Sequence, residues 1–220
     1  MKTFYIPLLA SALLAAACGQ GAQQFDIDNT KPVTPDNRVI YQMNIGAFTP
    51  EGTFAAAGRQ LGRLDTLGAD ILWLMPIYPR GHKMNSPYAS MDFTKVNPAY
   101  GTADDLKRFV GEAHRRGMKV WLDWVPNHTA TDARWVGEHP EYYKRSGGSF
   151  VHPNNYADVY QLDYGNGELR KAMTDCMKFW IDRADIDGYR CDYISSQSYS
   201  NTRSKPHLQP TPQLTATPDP

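Results

Sequence analysis

Arg190 and Asp192 stand two residues apart in an apolar run that begins at Gly188. In an extended strand, side chains two positions apart share a face, so this spacing sets a guanidinium beside a carboxylate. A neighbouring positive charge favours the ionised carboxylate and lowers its pKa, which suits a group that attacks an electrophilic carbon. Taken alone, the pair reads first as a structural ion pair. A second apolar run closes on Asp123-Trp124-Val125-Pro126-Asn127-His128. Asp123 reads as a structural carboxylate that orients Arg190 or the strand end. A lone His128 would read as a satisfied loop histidine, and the Asn127-His128 pairing raises it to a candidate binding group.

These motifs need strands to position them, and the sequence supplies strands alternating with helices. Residues 39–45, 69–76, 118–125 and 188–194 read as strands. The run 69–76 is apolar throughout, as in a strand buried on both faces. Residues 54–67 read as a helix with Leu61, Leu64 and Leu67 on one side and Gly68 as its stop. Thr102 and Asp105 make a capping-box pattern for a helix running to Arg116, ended by Gly117. Residues 168–184 carry Leu169, Met173, Met177 and Trp180 as a helical stripe. Residues 135–164 read as an aromatic loop. Strand and helix alternation of this kind demands parallel pairing through crossovers. It places the polar motifs at the C-terminal strand ends, where a β/α barrel keeps its active site.

The composition is 41% hydrophobic and 12% aromatic, with 23 basic against 23 acidic residues. Zero formal charge gives no electrostatic reason for nucleic acid or an anionic membrane surface as partner. The N-terminus reads as an export signal: Lys2 is basic, and residues 4–17 are apolar. That stretch is shorter than the roughly 20 residues a spanning helix needs. Leu14-Ala15-Ala16-Ala17-Cys18-Gly19 resembles a bacterial lipoprotein cleavage site. The resemblance implies a lipid on Cys18 and a place in the cell envelope, in the periplasm or at the cell surface. Residues 19–37 are polar and patternless, a tether. Cys176 and Cys191 read as packed free thiols.

Several further segments occur in a fixed order: Leu72-Trp73-Leu74-Met75-Pro76-Ile77-Tyr78-Pro79, Ser86-Pro87-Tyr88 followed by Asp92, and Val96-Asn97-Pro98-Ala99-Tyr100-Gly101-Thr102. Ala113-His114-Arg115-Arg116-Gly117-Met118-Lys119-Val120 comes next, with Leu162-Asp163-Tyr164 between the two polar motifs. Together with those motifs, the series resembles the N-terminal half of the α-amylase family of glycoside hydrolases (family 13), over residues 39–194.

The resemblance implies an α/β fold of the (β/α)8 TIM-barrel type, here truncated after about the fourth strand. Residues 38–195 form the barrel portion, 129–165 an inserted loop subdomain and 196–220 a disordered tail rich in Pro, Thr and Gln. It implies Asp192 as the nucleophile, with Arg190 beside it. By the same resemblance His128 bonds the sugar at the cleavage subsite, and Tyr88 stacks on its ring. Asn127 and Asp163 match positions that hold a structural Ca2+ in many members. The implied substrate is an α-linked glucan.

The family's acid/base glutamate follows the fifth strand, and a further aspartate follows the seventh. No glutamate follows Glu168 here, and Asp219 is the one carboxylate side chain after Asp192. The sequence therefore predicts an incomplete, inactive catalytic set. The alternatives are a non-catalytic glucan-binding surface lipoprotein, a non-functional truncated product, or a separate chain supplying the other barrel half.

Overall fold

The computed structural model describes residues 37–193. The export signal, Cys18, residues 19–36 of the tether, the end of the 188–194 run and the 196–220 tail lie outside the described residues.

The first strand, β1 (Ile40–Met43), leads into a one-turn helix, α1 (Ile45–Phe48), capped by the Asn44 side chain. Two short helices follow, α2 (Phe54–Gly58) and α3 (Leu61–Thr66), where the sequence predicts one. The ladder breaks because the Arg59 N–H bonds Ala56 O, an i−3 turn. Leu61 and Leu64 are buried as expected, but Leu67 is 59% exposed. It lies past the end of α3, at the C-cap, and no longer shares the buried stripe. Gly68 turns the chain at φ +75°.

Strand β2 (Ile71–Leu74) is followed by a long loop and then by α4 (Ala103–His114). Thr102 and Asp105 form the reciprocal capping box at its start. Gly117, at φ +75°, returns the chain to β3 (Lys119–Trp124).

Between β3 and the last helix the expected aromatic loop contains several short elements. These are β4 (His128–Ala130), α5 (Arg134–Glu138), a small hairpin of β5 (Arg145–Ser146) and β6 (Ser149–Phe150), and β7 (Val159–Gln161). β4 and β7 pair antiparallel. Helix α6 (Gly167–Ala184) is capped by Asn166, and β8 (Gly188–Cys191) closes the series.

The main sheet has the order β1-β2-β3-β8, and every pairing is parallel. Alternation sorts its side chains by face. Leu72, Leu74, Val120 and Leu122 are buried in one core with Leu106, Phe109 and Val110 of α4 and Leu169, Met173 and Trp180 of α6. The Trp180 Nε1–H donates to Phe93 O at 2.7 Å, pinning the post-β2 loop to α6. Trp73, Trp121, Asp123 and Arg190 occupy the alternate positions. In the register Trp73 is level with Trp121, and Asp123 with Arg190.

Both cysteines are free. Cys176 is packed and its thiol is pushed up to about 11 by burial. Cys191 is exposed, against expectation. It stands on β8, an edge strand among the described residues.

Candidate active site

The floor of the site is Asp123, whose side chain is shut off from water. Its Oδ2 accepts from the Trp73 Nε1–H at 3.0 Å and from the Tyr88 hydroxyl at 3.2 Å. Arg190 Nη1 donates to both carboxylate oxygens, at 3.3 and 3.4 Å. Burial raises the Asp123 pKa, while the Arg190 charge and the Trp73 bond pull against it. Burial, then the adjacent Asp123 charge, pushes Tyr88 up to about 12, so at neutral pH it is a phenol that donates. The buried Tyr78 hydroxyl donates to Asp123 O at 3.3 Å and fixes the end of β3.

Above this floor Arg190 forms a second ion pair, with Asp192. Its guanidinium lies 4.7 Å from the centre of the Trp73 ring. It is thus held on three sides while remaining 37% exposed. Asp192 lies just past β8, and its N–H donates to Trp124 O at 2.7 Å, one more rung of the parallel ladder. The spacing argument that puts Arg190 and Asp192 together therefore holds in the structure.

Asp192 opens onto a cavity of about 620 Å³ that Ser86, Tyr88, His128, Asp158 and Tyr193 also line. His128 begins β4, and its Nδ1 pairs with Asn127 Nδ2 at 3.0 Å. Burial lowers the His128 pKa, against the opposing pull of the Tyr88 backbone and of Asp192. At neutral pH the ring is therefore uncharged, and with Nδ1 facing the amide of Asn127 it carries its proton on Nε2.

The structure thus brings Tyr88, His128 and Asp192 to one cavity, with Arg190 and Asp123 directly behind Asp192. Asn127 and Asp163 do not line that cavity. They are neighbours through the Leu162 N–H bond to Asn127 O at 3.0 Å. The Asn127 amide is engaged by His128, and Asp163 Oδ1 accepts from Gly165 N at 3.1 Å. Ca2+ takes about 6–8 oxygen ligands. Among the described residues no three His, Cys, Asp or Glu side chains gather at a point that could hold a metal ion.

Sequence reasoning assigned no role to Trp73 or Asp158. Trp73 was legible in principle, because its register partner Trp121 stands two residues before Asp123 and so on the same face. Asp158 gave no such signal, since it reaches the cavity through the turn before β7.

A sheet of parallel strands joined through helices, with an Arg-held carboxylate just past a C-terminal strand end, defines a β/α-barrel site for carboxylate chemistry. The family model described as "Alpha amylase, catalytic domain" matches residues 34–161 and 145–219. The chain belongs to the α-amylase family of glycoside hydrolases, and its four parallel strands are part of that family's (β/α)8 barrel.

It is 32% identical over 196 residues to trehalose-6-phosphate hydrolase of Bacillus subtilis (strain 168), covering 71% of this chain and 35% of that protein. The crystal structure of an α-amylase from Lactobacillus plantarum superposes with a TM-score of 0.68 at 40% identity, covering 71% of this chain and 38% of that one. A noncanonic maltogenic α-amylase from Thermotoga neapolitana gives 0.67 at 37% identity, covering 70% and 39%. The chain spans about a third of the length of the curated relatives it matches.

Proposed function

We propose that this chain carries the nucleophile half of a retaining glycosidase site for α-linked glucans, with Asp192 as the nucleophile. The observation that carries the reading is the arrangement around Asp192. An ion-paired carboxylate faces a cavity beside an aromatic ring, Tyr88, and a neutral imidazole, His128.

In this reading an oxygen of Asp192 attacks the anomeric carbon of the bound sugar as the bond to the leaving oxygen breaks. Arg190, paired with Asp192, fixes the direction of the attacking carboxylate. Tyr88 offers a ring face to the apolar side of the pyranose, and His128 a hydrogen-bonding nitrogen to its hydroxyls. Asp123 positions Arg190 and does not touch the sugar.

Retaining chemistry uses a second carboxyl about 5–5.5 Å from the nucleophile to protonate the leaving oxygen. Asp123 is unsuited to that task, because Trp73, Tyr88 and Arg190 occupy its oxygens. A probe that needs no acid therefore tests the nucleophile by itself. With a 5-fluoroglucosyl fluoride, the Asp192 oxygen bonds to C1 as the C1–F bond breaks, and fluoride leaves unprotonated. Peptide mass mapping should find the sugar on Asp192, and Asp192→Asn should remain unlabelled. Labelling elsewhere, or none, would overturn the assignment.

We also propose export with lipid attachment at Cys18, supported by Lys2, the apolar stretch 4–17 and the residues around Cys18. Cys18→Ser should move the protein out of the membrane fraction, and an unchanged distribution refutes the proposal.

A further inference from the structure

Arg190 is not fixed by its carboxylates alone. Its two bonds to Asp123, at 3.3 and 3.4 Å, exceed the usual length of about 2.9–3.0 Å. More than a third of the side chain also faces water. A guanidinium held only in this way has room to swing, and Asp192, which is paired with it, would swing too.

Trp73 restricts that freedom. It stands on β2, two strands from Arg190 in the order β1-β2-β3-β8. Neighbouring strands lie about 4.8 Å apart, so its side chain must reach across β3 to meet Arg190. Trp121 and Gly188 are level with it, while Asp123 and Arg190 stand level with each other two residues further along their strands. The indole spans this diagonal. Its Nε1–H edge bonds Asp123 Oδ2 at 3.0 Å, an ordinary length, and its ring centre lies 4.7 Å from the Arg190 guanidinium carbon. One rigid ring thus touches both members of the pair. The edge bond fixes the plane of the ring, and the π-face attracts the guanidinium and limits where it sits. Trp73 does not line the cavity of Asp192.

We propose that Trp73 is a positioning residue for the nucleophile. It acts on Asp192 through Arg190, and on Arg190 both directly and through Asp123. The inference rests on the glycosidase reading above. Without the indole, the Arg190–Asp192 pair loses its fixed backing and the attacking oxygen loses its aim. Bond formation is then slowed, because misplacement by about 1 Å costs on the order of 10²-fold in rate. Binding of the sugar is left intact, because Trp73 does not reach it.

Labelling of the full chain by 5-fluoroglucosyl fluoride, followed by mass spectrometry, tests this. In that step the Asp192 oxygen bonds to C1 as fluoride leaves. The saturated labelling rate reports positioning, and the half-saturating concentration reports binding. Trp73→Leu should lower the saturated rate about 10- to 100-fold. It should leave the half-saturating concentration within about twofold of wild type. Trp73→Phe keeps a ring and loses the N–H, so its rate should fall about three- to tenfold. Trp121→Leu removes an indole that packs beside Gly188, and it should label at the wild-type rate. Thermal melts record whether each variant folds. If Trp73→Leu labels as fast as Trp121→Leu, or if the half-saturating concentration rises while the saturated rate holds, the role is refuted and the glycosidase reading stands. Should Trp73→Leu not fold, Trp73→Phe decides, and a wild-type saturated rate there refutes the role. If wild type is not labelled on Asp192, the glycosidase reading fails and this role with it.

Discussion

Arg190 bonds Asp123 across neighbouring strands at 3.3 Å, and the two side chains differ sharply in their access to water. Asp123 is fully enclosed, while Arg190 keeps 37% of its side chain exposed. The carboxylate is therefore the fixed member of the pair and the guanidinium the adjustable one. Removing the enclosed partner leaves Trp73 and Tyr88 without their acceptor and Arg190 with Asp192 alone.

Asp123→Ala should accordingly lower unfolding free energy by about 3 kcal/mol, the lower end for a broken buried pair because Arg190 reaches solvent. Asp123→Asn retains an acceptor and should lose about 1–2 kcal/mol. Urea denaturation followed by tryptophan emission measures both, and equal losses would contradict this account.

Tyr88→Phe separates two uses of one side chain. The bond to Asp123 is lost, so stability should fall by about 1 kcal/mol. The ring remains, so maltotetraose affinity should stay within about twofold of wild type. A large loss of affinity would mean that the hydroxyl, and not the ring face, makes the sugar contact.

Asp187 gives a pH dependence of definite sign. Burial alone would raise its pKa, but bonds from the Val120 N–H, His114 and Lys119 outweigh burial and hold it below the ordinary carboxylate value. A depressed folded pKa contributes stability above the unfolded value of 3.8, and that contribution is lost as pH falls through the folded one. Asp187→Asn should therefore be about 1 kcal/mol less stable than wild type at pH 7. The difference should shrink below about pH 4. Melting temperatures taken from pH 7 to pH 2.5 test the prediction, and a constant gap would refute it.

A Cβ on Gly188 would lie 2.9 Å from both Cδ1 and Nε1 of Trp121. Gly188→Ala must therefore push the indole aside, at a cost of about 1–3 kcal/mol. Its fluorescence spectrum should shift at the same time. Wild-type stability with an unchanged spectrum would show that the ring has room to spare.

The parts of this fold that the sequence made legible carry local chemistry. Thr102 and Asp105 announce a helix start through reciprocal bonds, and Gly68 and Gly117 announce ends through positive φ. Arg190 and Asp192 declare their contact through strand alternation alone. The break at Arg59 was hidden because Leu61 and Leu64 keep helical phase on its far side. The segment after β3 was hidden for another reason: its strands and helix are two to five residues long, too short to establish a period. Tyr156 could not be placed at the cavity from sequence, because a bond between Lys83 and Ala157, 74 residues apart, helps bring its loop there.

The partners of Asp123 also arrive in a fixed order during synthesis. Trp73 and Tyr88 precede it in the chain, while Arg190 follows 67 residues later. At about 5–20 residues per second, the ribosome delivers that arginine roughly three to thirteen seconds afterwards. A nascent chain can therefore give this carboxylate its neutral donors first and its counter-charge last. The ionised floor of the site cannot be completed until β8 has left the ribosome.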